Sequence, residues 1–133
     1  PISGEPGGQA WVCYLGLSIR YSQYFTSPEI VSPTDSTNSK KGNWFYMGFN
    51  SLTGEKAGIS IQQNPHFTTS SSSWYVIEDP KIPFYYYTPA VLYDNKIVLK
   101  KGEILSLKYR IWILPGVYTK EKLQEKFDQY MNK

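Results

Sequence analysis

Residues 99–116 read Leu-Lys-Lys-Gly-Glu-Ile-Leu-Ser-Leu-Lys-Tyr-Arg-Ile-Trp-Ile-Leu-Pro-Gly. After the turn residue Gly102, apolar and polar side chains alternate, which is the period of a β-strand with one buried face. The face expected to build core consists of Leu105, Leu107, Tyr109, Ile111 and Ile113. Pro115 and Gly116 end the strand. A strand of this length with one apolar face predicts a sizeable antiparallel sheet that packs on one side.

The rest of the chain repeats this pattern and predicts one domain over residues 1–133. A Gly- and Pro-rich lead-in occupies residues 1–9. Further strands are predicted at residues 10–22, 43–50, 57–62, 74–78 and 84–88. Gly54 marks a hairpin turn between two of them. The sequence therefore predicts a mostly β fold, an antiparallel β-sandwich of about seven to nine strands.

Two segments lack periodicity, and one segment has a helical period. Residues 26–42 and 63–73 are rich in small polar side chains and are expected to be exposed loops. Residues 119–131 carry an apolar stripe at helical spacing, with Thr119 as N-cap. This C-terminal helix is expected to dock on an edge of the sandwich.

Composition narrows the classes of function. The chain contains 12 Tyr and 4 Trp, residues typical of sheet faces and of sites where sugar rings stack. The net charge is only +3, and arginine occurs only as Arg20 and Arg110, so a nucleic-acid partner is not expected. No apolar run approaches the roughly 18 residues of a transmembrane helix.

Cysteine and histidine each occur once, as Cys13 and His66. A single cysteine excludes an internal disulfide, and Cys13 is expected to be a buried, inert thiol. A cluster of His and Cys ligands is not expected either, so neither a metal nor another cofactor is predicted.

The candidate site lies in two polar segments, residues 23–43 and 62–74. His66 and Asn64 lie in the second, where a sugar could be hydrogen-bonded and where His66 could transfer a proton; local capping is the alternative. A glycosidase needs two carboxylates across a cleft. The strand-region carboxylates all lie at or near turns and allow no pair to be nominated; they are Glu55, Glu78, Asp79, Asp94 and Glu103.

Aromatic and arginine side chains add further candidates. Trp44, Trp74 and Tyr85 could present flat faces to a sugar, and packing within the sheets is the alternative for each. Arg20 and Arg110 lie on the polar faces of their strands. There they either bind a substrate carboxylate or form ion pairs with Glu78, Asp79 or Glu103.

The order of motifs along the chain resembles a known family. The motifs are Leu-Gly-Leu-Ser-Ile-Arg at 15–20, Gly-Ile-Ser-Ile at 58–61, Asn-Pro-His at 64–66, Trp-Tyr-Val at 74–76 and residues 99–110. Together they resemble the C-terminal half of the PmoA-like family, uncharacterised bacterial proteins that often carry the label methane oxygenase PmoA. The resemblance covers about residues 7–130. It implies a β-sandwich related to galactose mutarotases and glycoside hydrolases, and a link to carbohydrate use.

The chain departs from this family in two ways. Family members often carry Asp-His-Pro where residues 62–65 here read Gln-Gln-Asn-Pro, so a family carboxylate at that place would be missing. Full-length members are longer, and this chain, which begins at Pro1, is expected to be a C-terminal half or a natural short form. Its compartment stays open, and an extracytoplasmic location is favoured.

The resemblance implies a carbohydrate-associated protein that binds a saccharide or assists glycan degradation. Its site would be lined by Trp44, Asn64, His66 and Trp74. This expectation rests on analogy. Two alternatives stay open: a mutarotase-like or hydrolase-like enzyme with His66 as acid or base, and a structural half-domain. The half-domain would complete its sandwich as a homodimer or with a missing N-terminal half, and it predicts an exposed apolar sheet face.

Overall fold

The computed structural model describes residues 19–21, 26–33, 41–51, 53–64, 66, 72–79, 81, 84–93 and 96–133. In chain order its elements are β1 (Ile19–Tyr21), β2 (Thr26–Val31), β3 (Lys41–Gly42), β4 (Trp44–Asn50), β5 (Lys56–Gln63), β6 (Ser72–Asp79), β7 (Phe84–Ala90), β8 (Tyr109–Pro115) and α1 (Lys120–Met131). The strands form two four-stranded sheets, a first sheet of order β1-β7-β6-β3 and a second of order β2-β4-β5-β8. The mostly β fold, an antiparallel sandwich with one C-terminal helix, is confirmed.

The predicted hairpin is confirmed as β4 and β5, which pair along the full length of β4. Gly54 lies in its turn with a φ of 84°, a left-handed conformation that favours glycine. Alternate side chains of β4 point to opposite faces. Trp44 and Tyr46 therefore lie on one side of the second sheet, and Phe45 and Met47 lie on the other.

The side with Phe45 and Met47 faces the first sheet and forms the inter-sheet core. Its buried members are Phe45, Met47, Ile61, Trp74, Val76, Tyr85 and Tyr87. The Tyr87 hydroxyl donates to the Ile59 carbonyl at 2.7 Å and so links the two sheets directly. Each large apolar side chain that is fully buried contributes roughly 1.5–3 kcal/mol, so this layer is a main source of stability.

The helix covers the opposite side of the second sheet. The buried residues of this layer are Trp44, Tyr46, Leu114, Leu123, Phe127 and Tyr130. Trp44 Nε1 donates to Gln124 Oε1 of α1 at 2.8 Å. Thr119 is the N-cap, as predicted, and its side chain accepts from the Lys122 N–H. The prediction of edge docking is wrong, because the apolar surface that the helix stripe buries lies on a sheet face.

Cationic and aromatic side chains alternate where α1 meets β8. Arg110 lies 4.0 Å from the Tyr130 ring and 5.7 Å from the Trp112 ring. Lys126 lies 4.5 Å from the same Trp112 ring and 5.7 Å from the Tyr118 ring. We call these five side chains the cation–ring ladder. Each such contact contributes about 0.5–1 kcal/mol at an exposed site, so the ladder helps to hold α1 on the sheet.

The strand predicted at residues 105–113 begins later in the chain than predicted, and the face that it buries is not the predicted one. It begins at Tyr109 and pairs with β5 at the edge of the second sheet. The expected core role is wrong for Ile111 and Ile113, which are 45% and 77% exposed. On this strand the inter-sheet core reaches only Tyr109. The opposite face is the buried one, because Leu114 packs under α1.

The two segments predicted as loops contain strands. Residues 26–42 include β2 and β3, and the second predicted loop contributes its last residues to β6. Pro28 obscures β2 in the sequence, but β2 is an edge strand, where a missing N–H on the outer side is tolerated. The register of β2 against β4 also shifts between Thr26 and Glu29, next to this proline.

The N-terminal predictions lie mostly outside the described residues. These are the lead-in at residues 1–9, the buried thiol of Cys13 and most of the strand at residues 10–22. The part that is described, Ile19–Tyr21, pairs with β7 as β1. In the described part of the chain, no helix has the length and apolar character needed to cross a membrane.

Candidate functional site

Three polar side chains lie side by side at one end of the inter-sheet core. Gln63 ends β5, and its N–H donates to the carbonyl of Asn43, just before β4, at 2.7 Å. On the other side, Gln63 pairs with Tyr109, the first residue of β8. We call Asn43, Gln63 and Tyr109 the polar row. Neighbouring strands lie about 4.8 Å apart, so the row spans roughly 10 Å, a length that one small ligand can cover.

Strand alternation places the polar row on the core side of the second sheet. Phe45 and Ile61, each two residues from a member of the row, belong to the core. Tyr109 packs against the same core, and Gln63 is fully buried. The row is therefore the polar end of an otherwise apolar layer.

Two oxygen atoms of the polar row are buried and have no hydrogen-bond partner within the described ranges: Asn43 Oδ1 and the Tyr109 hydroxyl. Leaving such an atom unsatisfied costs about 1–3 kcal/mol, so native proteins nearly always complete it with protein, water or ligand. Burial also raises the pKa of Tyr109 to about 12. The protonated hydroxyl can both donate and accept, whereas Asn43 Oδ1 only accepts.

Two residues predicted from the sequence lie beside the polar row. Asn64 follows Gln63 directly, and its N–H donates to the Lys108 carbonyl at 3.0 Å. Asn64 Oδ1 accepts from the His66 N–H at 3.0 Å, which is the geometry of an Asx turn. The His66 side chain is exposed. The structure thus brings Asn64 and His66 together at this end of the sandwich.

The rings predicted to stack on a sugar are packed inside the protein. Trp74 is 2% exposed, stacks on Phe45 at 5.4 Å and donates from Nε1 to the Gly42 carbonyl at 3.0 Å. Tyr85 lies in the same core, and Trp44 lies under α1. The faces of these rings are covered by protein, so they form no open stacking platform. The side chain of Arg20 lies outside what the structure describes.

Arg110, the second arginine considered as a carboxylate ligand or ion-pair partner, belongs to the cation–ring ladder and contacts Tyr130 and Trp112. Glu103, one of its expected partners, accepts from the Lys100 N–H at 2.8 Å. The geometry therefore gives Arg110 a packing contact with rings in place of the expected salt bridge with Glu103.

The carboxylates whose side chains the structure describes are all exposed; they are Glu55, Glu103, Glu121, Glu125 and Asp128. Within the described ranges, no three His, Cys, Asp or Glu side chains are grouped so that they could hold a metal ion. What the geometry does offer is hydrogen-bonding oxygen and nitrogen atoms in the polar row.

The polar row was hidden in the sequence because its members lie at strand ends. Tyr109 has an apolar ring, and alternation assigns it to the apolar face of its strand. Asn43 precedes a strongly aromatic strand. The one available signal was Gln62 and Gln63 in succession, since two amides in a row place one on each face of a strand that is otherwise apolar.

Tyr109→Phe is expected to change how stability depends on alkaline pH. The pKa of Tyr109 rises from its ordinary value of 10.0 to about 12 in the folded state. Its contribution to the free energy of unfolding is therefore constant below pH 10 and declines between pH 10 and 12, because the unfolded chain ionises first. The free energy of unfolding of the wild type relative to that of Tyr109→Phe should therefore fall with rising pH only in that window.

Urea unfolding at a series of pH values measures this difference. Tyr118→Phe is the matched control, because Tyr118 packs on the helix layer and not on the polar row. If the difference between the wild type and Tyr109→Phe stays constant up to pH 12, the Tyr109 hydroxyl is not buried as described.

Comparison with known protein families gives a match over most of the chain. The model of a family described as a family of unknown function, DUF6807, matches residues 4–128. No curated protein and no solved structure matches the chain.

Proposed function

We propose that this chain, which belongs to the DUF6807 family of unknown function, is a saccharide-binding β-sandwich that is associated with carbohydrate use. The proposal is drawn from the polar row. The observation that carries the proposal is the pair of buried oxygen atoms, Asn43 Oδ1 and the Tyr109 hydroxyl, that lack partners within the described ranges. A bound sugar would supply these partners.

The chemistry of the polar row suits a polyhydroxylated ligand. A sugar hydroxyl both donates and accepts, so one hydroxyl can donate to Asn43 Oδ1 while another accepts from the Tyr109 hydroxyl. Phe45 and Ile61, the apolar neighbours of the row, are fully buried, so the polar atoms of the row are the groups that the ligand contacts. The row therefore offers a few placed polar groups that can fix the orientation of a small molecule.

Position in the fold supports the same proposal. Pro33, which follows β2, and Asn64, which follows β5, both lie at the end of the second sheet that carries the polar row. Binding residues are disproportionately found where loops meet a rigid sheet. The resemblance to the PmoA-like family, with its link to mutarotase-like and hydrolase-like sandwiches, supports a saccharide as the ligand class.

We propose binding and not catalysis because the groups observed in the polar row are hydrogen-bonding atoms and not a pair of groups that transfer a proton. His66, whose side chain is exposed, is the polar neighbour assigned to the outer hydroxyls of the ligand, and Asn64 stabilises the turn that carries it. In this assignment His66 is a binding residue, and His66→Ala weakens binding without abolishing it.

A saccharide screen tests the proposal. Thermal shift against a panel of mono- and oligosaccharides identifies a ligand, and calorimetry then measures its dissociation constant. We expect Tyr109→Phe and Asn43→Ala each to weaken binding about 3- to 10-fold, since each removes one hydrogen bond worth about 0.5–1.5 kcal/mol.

Tyr118→Phe is the matched control and should bind like the wild type, because it also removes one tyrosine hydroxyl but lies on the helix layer. Unfolding curves show that each variant is folded. The proposal fails if no saccharide binds, or if Tyr109→Phe and Asn43→Ala both leave the dissociation constant of the saccharide unchanged.

A further inference from the structure

β8 is an edge strand of the second sheet, with β5 on one side and no strand on the other among the described residues. At one end of the β5–β8 pairing, the Gly116 N–H donates to the Lys56 carbonyl at 2.7 Å. At the other end, the Asn64 N–H donates to the Lys108 carbonyl at 3.0 Å. Alternate residues of an antiparallel strand bond to the same neighbour. The even-numbered residues of β8 therefore bond to β5, and the odd-numbered ones direct their N–H and C=O groups to the free side.

The exposed side chains next to this free backbone edge are apolar. Ile111 and Ile113 are odd-numbered, and their side chains are 45% and 77% exposed. Pro115 is also odd-numbered, so its missing N–H removes no hydrogen bond between β8 and β5. Free backbone donors and acceptors next to exposed isoleucines form the kind of edge that readily pairs with another strand.

We propose that β8 pairs with β8 of a second copy of this chain, antiparallel and about a two-fold axis at Ile111. Ile111 then lies opposite Ile111 of the other copy, and Ile113 lies opposite Tyr109. Tyr109, Ile111 and Ile113 of each copy then form hydrogen bonds with the other copy through the N–H and C=O groups that face the free side. The same residues act as donor and acceptor on both copies, as the self-complementary interface of a two-fold dimer requires.

The distribution of charge favours a second copy as the occupant. In this register, Arg110 lies opposite Trp112 of the other copy, so no cation of the strand faces its own equivalent. The guanidinium thus meets the same type of ring that it already contacts within one chain at 5.7 Å. On the other face, Tyr109, Ile111 and Ile113 carry no charge, so pairing buries no unpaired charge there.

The size of the contact predicts a weak dimer. One strand of seven residues per copy buries on the order of a few hundred Å² per partner, less than the roughly 800 Å² of a standard stable interface. We therefore expect a dissociation constant in the micromolar to submillimolar range and a strong dependence of mass on concentration.

Sedimentation equilibrium from about 1 µM to about 1 mM tests the proposal. The mass should rise from 15.3 kDa toward twice that value. Ile113→Lys should weaken dimerisation at least about 10-fold and leave the monomer folded, because the side chain is 77% exposed. Ile104→Lys is the matched control, since Ile104 is 86% exposed but lies outside β8; it should dimerise like the wild type.

A cross-link tests the register independently. Opposed residues of such a hydrogen-bonded pair have Cα atoms about 5.5 Å apart, which a disulfide can bridge. In a Cys13→Ser background, Ile111→Cys should therefore form a covalent dimer under mild oxidation, and Ile104→Cys should not. A monomer at every concentration, a dimer indifferent to Ile113→Lys, or equal cross-linking by both cysteine variants would overturn the proposal.

Discussion

Trp74→Ala is expected to lower the free energy of unfolding by about 3–5 kcal/mol, the cost of replacing a fully buried aromatic side chain by alanine. The ring is 2% exposed and stacks on Phe45 at 5.4 Å, so its removal leaves a cavity between the two sheets. The Gly42 carbonyl also loses the donor that Trp74 Nε1 supplies at 3.0 Å. Because a domain is typically stable by only about 5–15 kcal/mol, chemical denaturation should show a large loss.

Two further variants separate the parts of this effect. Trp74→Phe keeps a ring against Phe45 and loses the hydrogen bond, so it should cost clearly less than Trp74→Ala. Val98→Ala, at an apolar side chain that is 64% exposed, should change stability by less than about 0.5 kcal/mol. If Trp74→Ala were as stable as the wild type but failed to bind a saccharide, the ring would be a binding residue after all.

Gly58→Ala is expected to destabilise the protein by about 1–3 kcal/mol through overpacking. Gly48 and Gly58 are directly paired on β4 and β5, and the Tyr46 ring lies over both. A Cβ on Gly58 would clash with the hydroxyl end of that ring. Tyr46 is 2% exposed and lies in the layer under α1, so the ring has little room to move away.

Thermal or urea unfolding of four variants checks this result: Gly58→Ala, Gly48→Ala, Tyr46→Leu, and Tyr46→Leu combined with Gly58→Ala. Gly48→Ala is the graded control, because its Cβ would lie 3.1 Å from the Tyr46 hydroxyl, a much milder contact, and it should cost less. Tyr46→Leu combined with Gly58→Ala should show that the two losses do not add, since the smaller side chain removes the clash. Full additivity would mean that the cost comes from the backbone of Gly58 and not from Tyr46.

The sequence predicted most elements of the second sheet because their signals are local. The β4–β5 hairpin has alternation on both strands and a glycine in its turn, and α1 has a stripe at helical spacing behind the cap Thr119. β2 cannot be recognised from the sequence because Pro28 is a loop signal, and only the edge position of β2 in the sheet makes a proline acceptable there. Alternation indicates which residues share a face of a strand, but it does not indicate which of the two faces is buried by the rest of the protein.

The same limit explains the errors at β8 and at the candidate site. Ile111 and Ile113 are as apolar as core residues, yet they lie on the edge strand β8 and are exposed. Trp44 and Trp74 are two of the most prominent residues for sugar binding by type, yet both are used for packing. Asn64 and His66 could be predicted because they lie in a polar segment. Gln63 and Tyr109 could not, because pairing across strands is what brings them together.

The cation–ring ladder makes the attachment of α1 insensitive to mild acid. A helix held by ion pairs loosens when mild acid protonates the carboxylates of those pairs. Here each cation contacts two aromatic rings, at 4.0–5.7 Å, and the rings have no proton to gain. The contacts between α1 and β8 therefore persist at acidities that neutralise surface carboxylates.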